Sequence, residues 1–279
     1  MEFFAAIFNQ QPMGFYNLET LKEDAKRHGI KILNPDINKS DRLCRIENGA
    51  VRLGLLMVSG LGEAAASAIT ETRTERGNYK SIGDFLERSG VFEEVALNLA
   101  SAGAFDSFEL NRRKVKWEIG LRYRPANCQL SLPLPVEQDL AALVSPGNWD
   151  KMIDEYSNLG LYPTGHIMAS LRHKLGKGIC TSKDMDKMND GDYLSTAGLV
   201  IRRQRPRGKV VFLTLEDEFG HIPCMVFPGI YQQSELTFKK PFLIVSGYLS
   251  RKDGACNLVI QKVKSLDVKE KVTASRDWR

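Results

Sequence analysis

The spacing of hydrophobic positions divides the chain into a largely helical first part and a second part with strand periodicity. In residues 1–29, and again from about residue 56 to 124, apolar side chains recur every three or four positions, which predicts amphipathic helices. Between these regions, Glu47-Asn48-Gly49 separates two short apolar runs and predicts a β-hairpin. Residues 149–175 return to a helical pattern.

Alternation of apolar and polar residues begins at Tyr193. Five runs with this period predict strands, and they are Tyr193–Arg202, Lys209–Glu216, His221–Phe227, Phe242–Arg251 and Asn257–Leu266. A short helix, Ile230–Leu236, is predicted between the third and fourth strands. This order is typical of an OB-fold, a five-stranded β-barrel that commonly binds single-stranded nucleic acid. An SH3-like barrel is the alternative.

Composition narrows the range of functions. Lys and Arg total 39 and Asp and Glu 34, so the net charge is +5, which permits a polyanionic partner without demonstrating one. The hydrophobic fraction of 43% is typical of globular protein. No apolar run approaches the roughly 18 residues of a membrane span, and the first residues do not form a signal peptide. We therefore expect a cytoplasmic protein with no membrane partner.

Cysteines and histidines do not form recognised chemical motifs. The cysteines stand at positions 44, 128, 180, 224 and 256, too far apart for a CxxC pair or a zinc finger. The histidines form no HExxH set, and GxSxG is absent. The sequence therefore predicts no catalytic residue, no metal ligand and no cofactor in this chain.

Gly60-Leu61-Gly62 separates a short apolar stretch from an Ala-rich helix. Glycines let the backbone turn tightly there, and the free amides at the start of the following helix favour an anion. This pattern predicts a helix-hairpin-helix motif, which binds DNA phosphates without reading bases. One alternative is a dinucleotide-binding fingerprint, since Gly60-x-Gly62-x-x-Ala65 fits GxGxxA, but residues 74–80 form a polar loop instead of a second buried strand. The other alternative is a plain turn between two helices.

A weaker copy of the motif is predicted at Ala102-Gly103-Ala104. The helix after it carries six cations between Arg112 and Arg124 against the single acid Glu118, a local charge of +5. Tandem hairpins would double the grip on phosphates, and a solvated basic helix face is the alternative.

The turn between the first two predicted strands, residues 202–209, holds five cations and no acid. In an OB-fold this loop lies against nucleic acid, which predicts phosphate contacts. Phe212 and Tyr248 are more typical of packed strand residues than of base-stacking platforms. Glu216, Asp217 and Glu218 would repel a phosphate backbone, which limits the expected binding surface to the opposite end.

Residues 125–147 contain four prolines and read as an extended linker. Within it, Gln129-Leu130-Ser131-Leu132-Pro133-Leu134 suits insertion into a hydrophobic groove, because proline restricts the free chain. A leucine-rich linker without a partner is the plainer interpretation.

Several motifs in the same order resemble the C-terminal half of bacterial C-family DNA polymerases. They are residues 11–16 (QPMGFY), 27–30 (RHGI), 36–40 (DINKS), Gly60-Leu61-Gly62, 102–106 (AGAFD), 159–161 (LGL) with Gly165-His166, and 213–217 (LTLED). Residues 198–206 (GLVIRRQRP) and 275–279 (SRDWR) resemble most closely the error-prone, damage-inducible alpha-subunit type. Ile167 departs from the proline that the family usually has after Gly-His.

The resemblance implies an α+β multidomain chain, with a helical fingers end and tandem helix-hairpin-helix region followed by a five-stranded OB-fold barrel. The implied domains are 1–50 (end of the fingers), 51–124 (hairpins), 125–148 (linker), 149–192 (helical connector), 193–268 (OB-fold) and 269–279 (tail). The residues expected to bind DNA are Gly60, Leu61, Gly62, Gly103, Arg112, Arg113, Arg202, Arg203, Arg205, Arg207 and Lys209. Those expected to bind the sliding clamp are Gln129, Leu130, Ser131, Leu132, Pro133 and Leu134.

The resemblance also implies a role in replication and damage-tolerant repair synthesis. Its partners would be duplex and single-stranded DNA, the sliding clamp, the remainder of the polymerase and translesion accessory proteins. The family's palm, whose aspartates hold Mg²⁺, lies upstream of any segment found here, so the chain is expected to be a C-terminal fragment without polymerase activity of its own. A stand-alone nucleic-acid-binding protein and, more remotely, a nicotinamide-dependent oxidoreductase are the alternatives.

Overall fold

A computed structural model of the chain describes residues 1–11, 17–124, 143–206, 210–252, 254–266 and 276–278. The chain divides into two compact units, Met1–Thr164 and Gly165–Arg279. The division lies inside the segment predicted as a helical connector. Among the helices of the described ranges, none is both long enough and apolar enough to cross a membrane.

The first unit is mainly helical. Its helices are α1 (Glu2–Asn9), α2 (Leu18–Arg27), α3 (Glu63–Arg76), α4 (Ile82–Ser89), α5 (Glu93–Ser101), α6 (Arg112–Arg122) and α7 (Asn148–Leu159). Three short strands, β1 (Lys31–Leu33), β2 (Arg45–Glu47) and β3 (Ala50–Arg52), form a small sheet in the order β1-β3-β2. The apolar stretch before the first glycine hairpin forms only a single 3-10 turn, Leu55–Met57.

Local sequence accounts for much of this unit. Asn48 and Gly49 both have positive φ, as a two-residue turn between antiparallel strands requires, and the predicted hairpin joins β2 to β3 there. The Ser81 hydroxyl caps α4 by accepting a hydrogen bond from the backbone N–H of Asp84. Tyr79, Phe85 and Phe105 pack edge to face in the core, with ring centroids 5.1 Å apart in each contact. The buried rings hold α3, α4 and the end of α5 around one core.

The second unit is built on a β-barrel. It contains the helices α8 (Ile167–Leu171), α9 (Ser182–Met185), α10 (Pro228–Gln233) and α11 (Glu235–Phe238), and a 3-10 turn at Arg172–Lys174. Its strands are β4 (Ile179–Cys180), β5 (Tyr193–Gln204), β6 (Val211–Glu216), β7 (His221–Val226), β8 (Phe242–Lys252), β9 (Ala255–Ser265) and β10 (Arg276–Trp278). The single helix expected before the fourth barrel strand is therefore two short helices.

The barrel closes in the order β5-β6-β7-β9-β8, with β8 pairing back onto β5. The β7–β9 pairing is parallel and the other pairings around the ring are antiparallel. This confirms the predicted OB-fold and excludes the SH3-like alternative. Gly247 of β8 sits beside a bulge in β9, and a Cβ atom on Gly247 would lie 2.0 Å from the carbonyl oxygen of Val259, so only glycine allows β9 to approach so closely.

Inward-facing side chains fill the barrel as the alternating pattern predicts. Val211, Leu213 and Leu215 of β6 are buried, whereas Phe212 between them is exposed. Phe238, at the end of α11, is fully buried and belongs to the same core. The period of two in the sequence thus fixes which residues of each strand face the outside, where a ligand can reach them.

Candidate nucleic-acid interface

The first glycine hairpin presents backbone to solvent. Gly60 has φ of 77°, which an L side chain rarely adopts, and Gly62 is the N-cap of α3. Both glycines are exposed, while Leu61 between them is buried and anchors the turn in the core. Gly62 has no side chain with which to cap α3, so the first amides of the helix are left for the exposed surface. The helix dipole adds partial positive charge at the same place.

The hairpin borders an open groove of about 640 Å³. Residues 56–62 form one wall and residues 156–160, at the end of α7, form the other. The two walls are tied together because the backbone N–H of Ser59 donates to the carbonyl of Asn158 at 2.8 Å, and Asn98 donates to the carbonyl of Ser59 at 3.0 Å. Glu63, the first residue of α3, forms an ion pair with Arg42, which offsets its negative charge. These hydrogen bonds fix the position of the groove walls, and the polar groups along the groove make it suited to a phosphate backbone.

The order of elements around this hairpin excludes the dinucleotide-binding alternative. A nucleotide fold needs a parallel strand after the helix that follows the glycines. Here α3 leads through residues 77–81 into another helix, α4, and β3 pairs with β1 and β2 instead.

The second predicted hairpin differs from the first, because Gly103, a residue expected to contact DNA, does not present its backbone to solvent. Gly103 is buried, with φ of 84°, and a Cβ atom there would lie 2.4 Å from Nη2 of Arg112. The close approach of the Arg112 guanidinium explains the glycine. This turn is part of the interior of the unit.

Arg112, also expected to contact DNA, makes its observed contacts within the first unit. Its side chain is buried and donates to Asp106 at 2.7 Å, to Glu155 at 2.7 Å and to the carbonyl of Ser101 at 3.0 Å. Burial alone would lower the pKa of Arg112, but the hydrogen bonds and charges of Asp106 and Glu155 outweigh it and raise the pKa. A phosphate cannot reach this guanidinium while these bonds are present.

The rest of the basic stretch is largely neutralised. Arg113 pairs with Asp150 at 2.9 Å and Lys116 with Asp154 at 2.7 Å, both acids belonging to α7. Lys114 pairs with Glu109 and Arg122 with Glu118. The local charge of +5 that the sequence suggests is thus offset by acids from other segments.

The arginines at the end of β5 have different surroundings. Arg202 is exposed, and within the described ranges no ion pair involves it. Arg203 donates to the carbonyl of Lys240 at 2.9 Å, and the Arg205 guanidinium lies 5.4 Å from the ring centroid of Tyr231. Arg207 and Lys209 lie outside the described residues, as does the whole of Gln129–Leu134.

Exposed aromatic rings flank the barrel. Phe212 of β6 is 38% exposed and lies opposite Gln204 of β5 and Met225 of β7. Tyr248 of β8 is 50% exposed and packs against Tyr193, which the sequence analysis did not single out. Both aromatic residues expected to be packed strand residues therefore offer ring surface to solvent.

The three acids at the end of β6 do not form the repulsive patch expected from the sequence. Glu216 and Asp217 are buried. Asp217 accepts hydrogen bonds from the backbone N–H and the hydroxyl of Ser182, and Arg172 pairs with Glu218 at 2.6 Å. Burial opposes the charged form of Arg172, but Glu218 and Asp217 raise its pKa. Asp217 and Glu218 therefore make their contacts with other residues of the second unit.

Two family models match the chain where these surfaces lie. A helix-hairpin-helix motif matches residues 29–115, and an OB-fold nucleic acid binding domain matches residues 194–266. Error-prone DNA polymerase of Corynebacterium efficiens is 35% identical over 286 residues, which cover 100% of this chain and 26% of the relative. That of Alkalilimnicola ehrlichii is 33% identical and covers 94% of this chain.

Over its whole length, the chain matches the C-terminal part of the error-prone DNA polymerases. It spans about a quarter of the length of these curated polymerase relatives. Among solved structures, asparaginyl-tRNA synthetase from Pyrococcus horikoshii complexed with asparaginyl-adenylate matches 34% of this chain and 24% of its own, with 19% identity and a TM-score of 0.30, too low to carry an argument.

Proposed function

We propose that this chain is the DNA-holding part of an error-prone DNA polymerase used in replication and damage-tolerant repair synthesis. The observation that carries the proposal is the presence, in one chain, of an exposed Gly60–Gly62 hairpin and a barrel edged by arginines and aromatic rings. The hairpin binds the backbone of duplex DNA, and the barrel binds the single-stranded template. Nucleotidyl transfer belongs to the whole polymerase, with its remaining domains and translesion accessory proteins as partners.

Duplex binding through the hairpin follows from the uncapped start of α3. Phosphate oxygens accept hydrogen bonds from free helix amides, and neither glycine places a Cβ atom in their way. Such contacts position the protein and carry no base preference. Binding is therefore expected to be insensitive to sequence and to weaken as salt rises.

Replacing Gly62 tests the hairpin with a matched pair of variants. Asp and Asn both suit its φ of −80° and ψ of 169° and both cap helices well, so each variant is expected to fold at least as stably as the wild type. Gly62→Asp adds a negative charge where the phosphate lies, and we expect duplex affinity to fall about tenfold or more, well below that of Gly62→Asn. Fluorescence anisotropy with a labelled duplex measures both. Equal affinities of the two variants would contradict phosphate binding at the hairpin.

Single-strand binding by the barrel is supported by the β6–β7 face. OB-folds commonly use this face and the adjoining loops, and here Phe212 offers a ring on which a base can stack. Arg202 and Arg205 stand at the end of β5, where the loop to β6 begins. A backbone that follows this edge would meet cations while its bases reach the ring.

Clamp binding through Gln129–Leu134 remains a proposal from the sequence. The segment combines a glutamine, three leucines and a proline, which suits an extended peptide that inserts apolar side chains into a groove. We expect Gln129→Ala combined with Leu132→Ala to abolish retention of the chain on immobilised sliding clamp while DNA affinity is unchanged. Unchanged retention in the pull-down would remove the clamp from the proposal.

A further inference from the structure

A second wall of the barrel, formed by β5, β8 and β9, also presents aromatic rings. Tyr193 of β5 and Tyr248 of β8 are direct cross-strand partners, 48% and 50% exposed. Their ring centroids are 5.0 Å apart at 71°, an edge-to-face contact that holds both side chains in place. Two large rings fixed on a strand surface lose little conformational entropy when a ligand stacks on them.

Next to the tyrosines, the wall is polar and then positive. The hydroxyls of Ser195 and Ser246 lie 2.7 Å apart across the same two strands. On β9, Lys262 is the cross-strand partner of Ser246, and Lys264 is the partner of Ile244. The two lysines are exposed and, two residues apart on one strand, stand roughly 7 Å apart along it.

The charged side chains on this wall are all positive. Residues 193–197, 244–248 and 259–264, which make up the three strands there, contain no Asp or Glu. Within the described part of the chain, neither Lys262 nor Lys264 takes part in an ion pair. Aromatic rings beside cations, without acids, match the chemistry of single-stranded nucleic acid, whose bases stack and whose phosphates are negative.

We propose that the β5–β8–β9 wall is a second single-strand-binding surface. Bases stack on Tyr193 and Tyr248, and the backbone passes Lys262 and Lys264. The proposal rests on single-strand binding by the barrel and adds a wall other than the β6–β7 face. It follows that the barrel holds a longer stretch of template than one face would.

The test uses the full 279-residue chain and a labelled thymidine oligonucleotide of about 16 nucleotides, the upper end of OB-fold site sizes. Tyr193→Ala with Tyr248→Ala is expected to lower affinity about fivefold or more, because base stacking is lost. Tyr193→Phe with Tyr248→Phe keeps the rings and is expected to bind as the wild type. Lys262→Gln with Lys264→Gln is expected to lower the salt slope by about 1.4, from two lost phosphate contacts.

The outcomes separate this inference from the proposed function. If Phe212→Ala weakens binding while the tyrosine and lysine variants bind as the wild type, the second surface is refuted and the β6–β7 face stands. If none of the variants weakens binding, single-strand binding by the barrel fails as well. If the double alanine variant does not fold, ultraviolet crosslinking of wild type to a photoreactive strand decides, since adducts at Tyr193 or Tyr248 support the wall and their absence refutes it.

Discussion

Helix α6 and the end of strand β5 are both rich in arginine, but they meet different surroundings. On α6, the acids Asp150, Asp154 and Glu155 of α7 face the cations and pair with them. At the end of β5, Arg205 stacks on a ring, and within the described residues neither Arg202 nor Arg205 takes part in an ion pair. A contact to a ring leaves a positive charge uncompensated, whereas a contact to a carboxylate does not. The available positive potential is therefore greater at the barrel than on the helix.

Of the substitutions on α6, Arg112→Gln is expected to have the largest effect on stability. Removing one partner of a buried ion pair leaves uncompensated buried charge, which costs about 3–5 kcal/mol. Arg112→Gln is expected to lower the free energy of unfolding by that amount in urea titrations, because Glu155 and Asp106 lose their partner. DNA affinity of the folded variant should stay at the wild-type value.

Arg113→Gln is the matched control for Arg112. Its ion pair with Asp150 is half exposed on both sides, and such pairs contribute about 0–1 kcal/mol. An Arg112 variant of normal stability that loses DNA binding would show that the guanidinium serves the ligand and not the fold.

A smaller effect is expected from removing the acids that face α6. Asp150→Asn with Asp154→Asn frees Arg113 and Lys116, each now able to meet a phosphate. The salt slope of duplex binding should steepen by up to about 1.8, from two added contacts. Anisotropy titrations across a salt series measure it.

The control for the freed cations adds Arg113→Gln and Lys116→Gln to the same variant. We expect this quadruple variant to return to the wild-type slope. If the slope never changes, the acids on α7 do not limit access of α6 to DNA.

Much of the barrel could be predicted from the sequence because its signals are local. Alternation over six to twelve residues marks β5 to β9. The turn at Asn48-Gly49 in the first unit is also a local signal, because two residues are enough to define it. The hairpin at Gly60 was likewise recognisable, since two glycines before an Ala-rich helix are adjacent in the chain.

The ion pairs of the basic stretch, residues 112–124, could not be predicted from local signals. Arg112 meets Glu155 across 43 positions, and Arg113 meets Asp150 across 37, so their pairing depends on how α6 packs against α7. One signal was available: the acids at 150 and 154, four positions apart, share one face of a predicted helix and complement a basic neighbour. The burial of Gly103 could not be predicted for the same reason, because the guanidinium that fills the space beside it comes from the next helix.

Available positive charge at the barrel is tested most directly by the salt dependence of single-strand binding in two charge-matched variants of the whole chain. Arg202→Gln with Arg205→Gln removes two cations at the barrel, and Arg113→Gln with Lys116→Gln removes two that are paired with acids. We expect the first variant to lower the salt slope by about 1.4 and the second to leave it unchanged. Equal slopes for wild type and the barrel variant, or a loss confined to the α6 variant, would contradict this expectation.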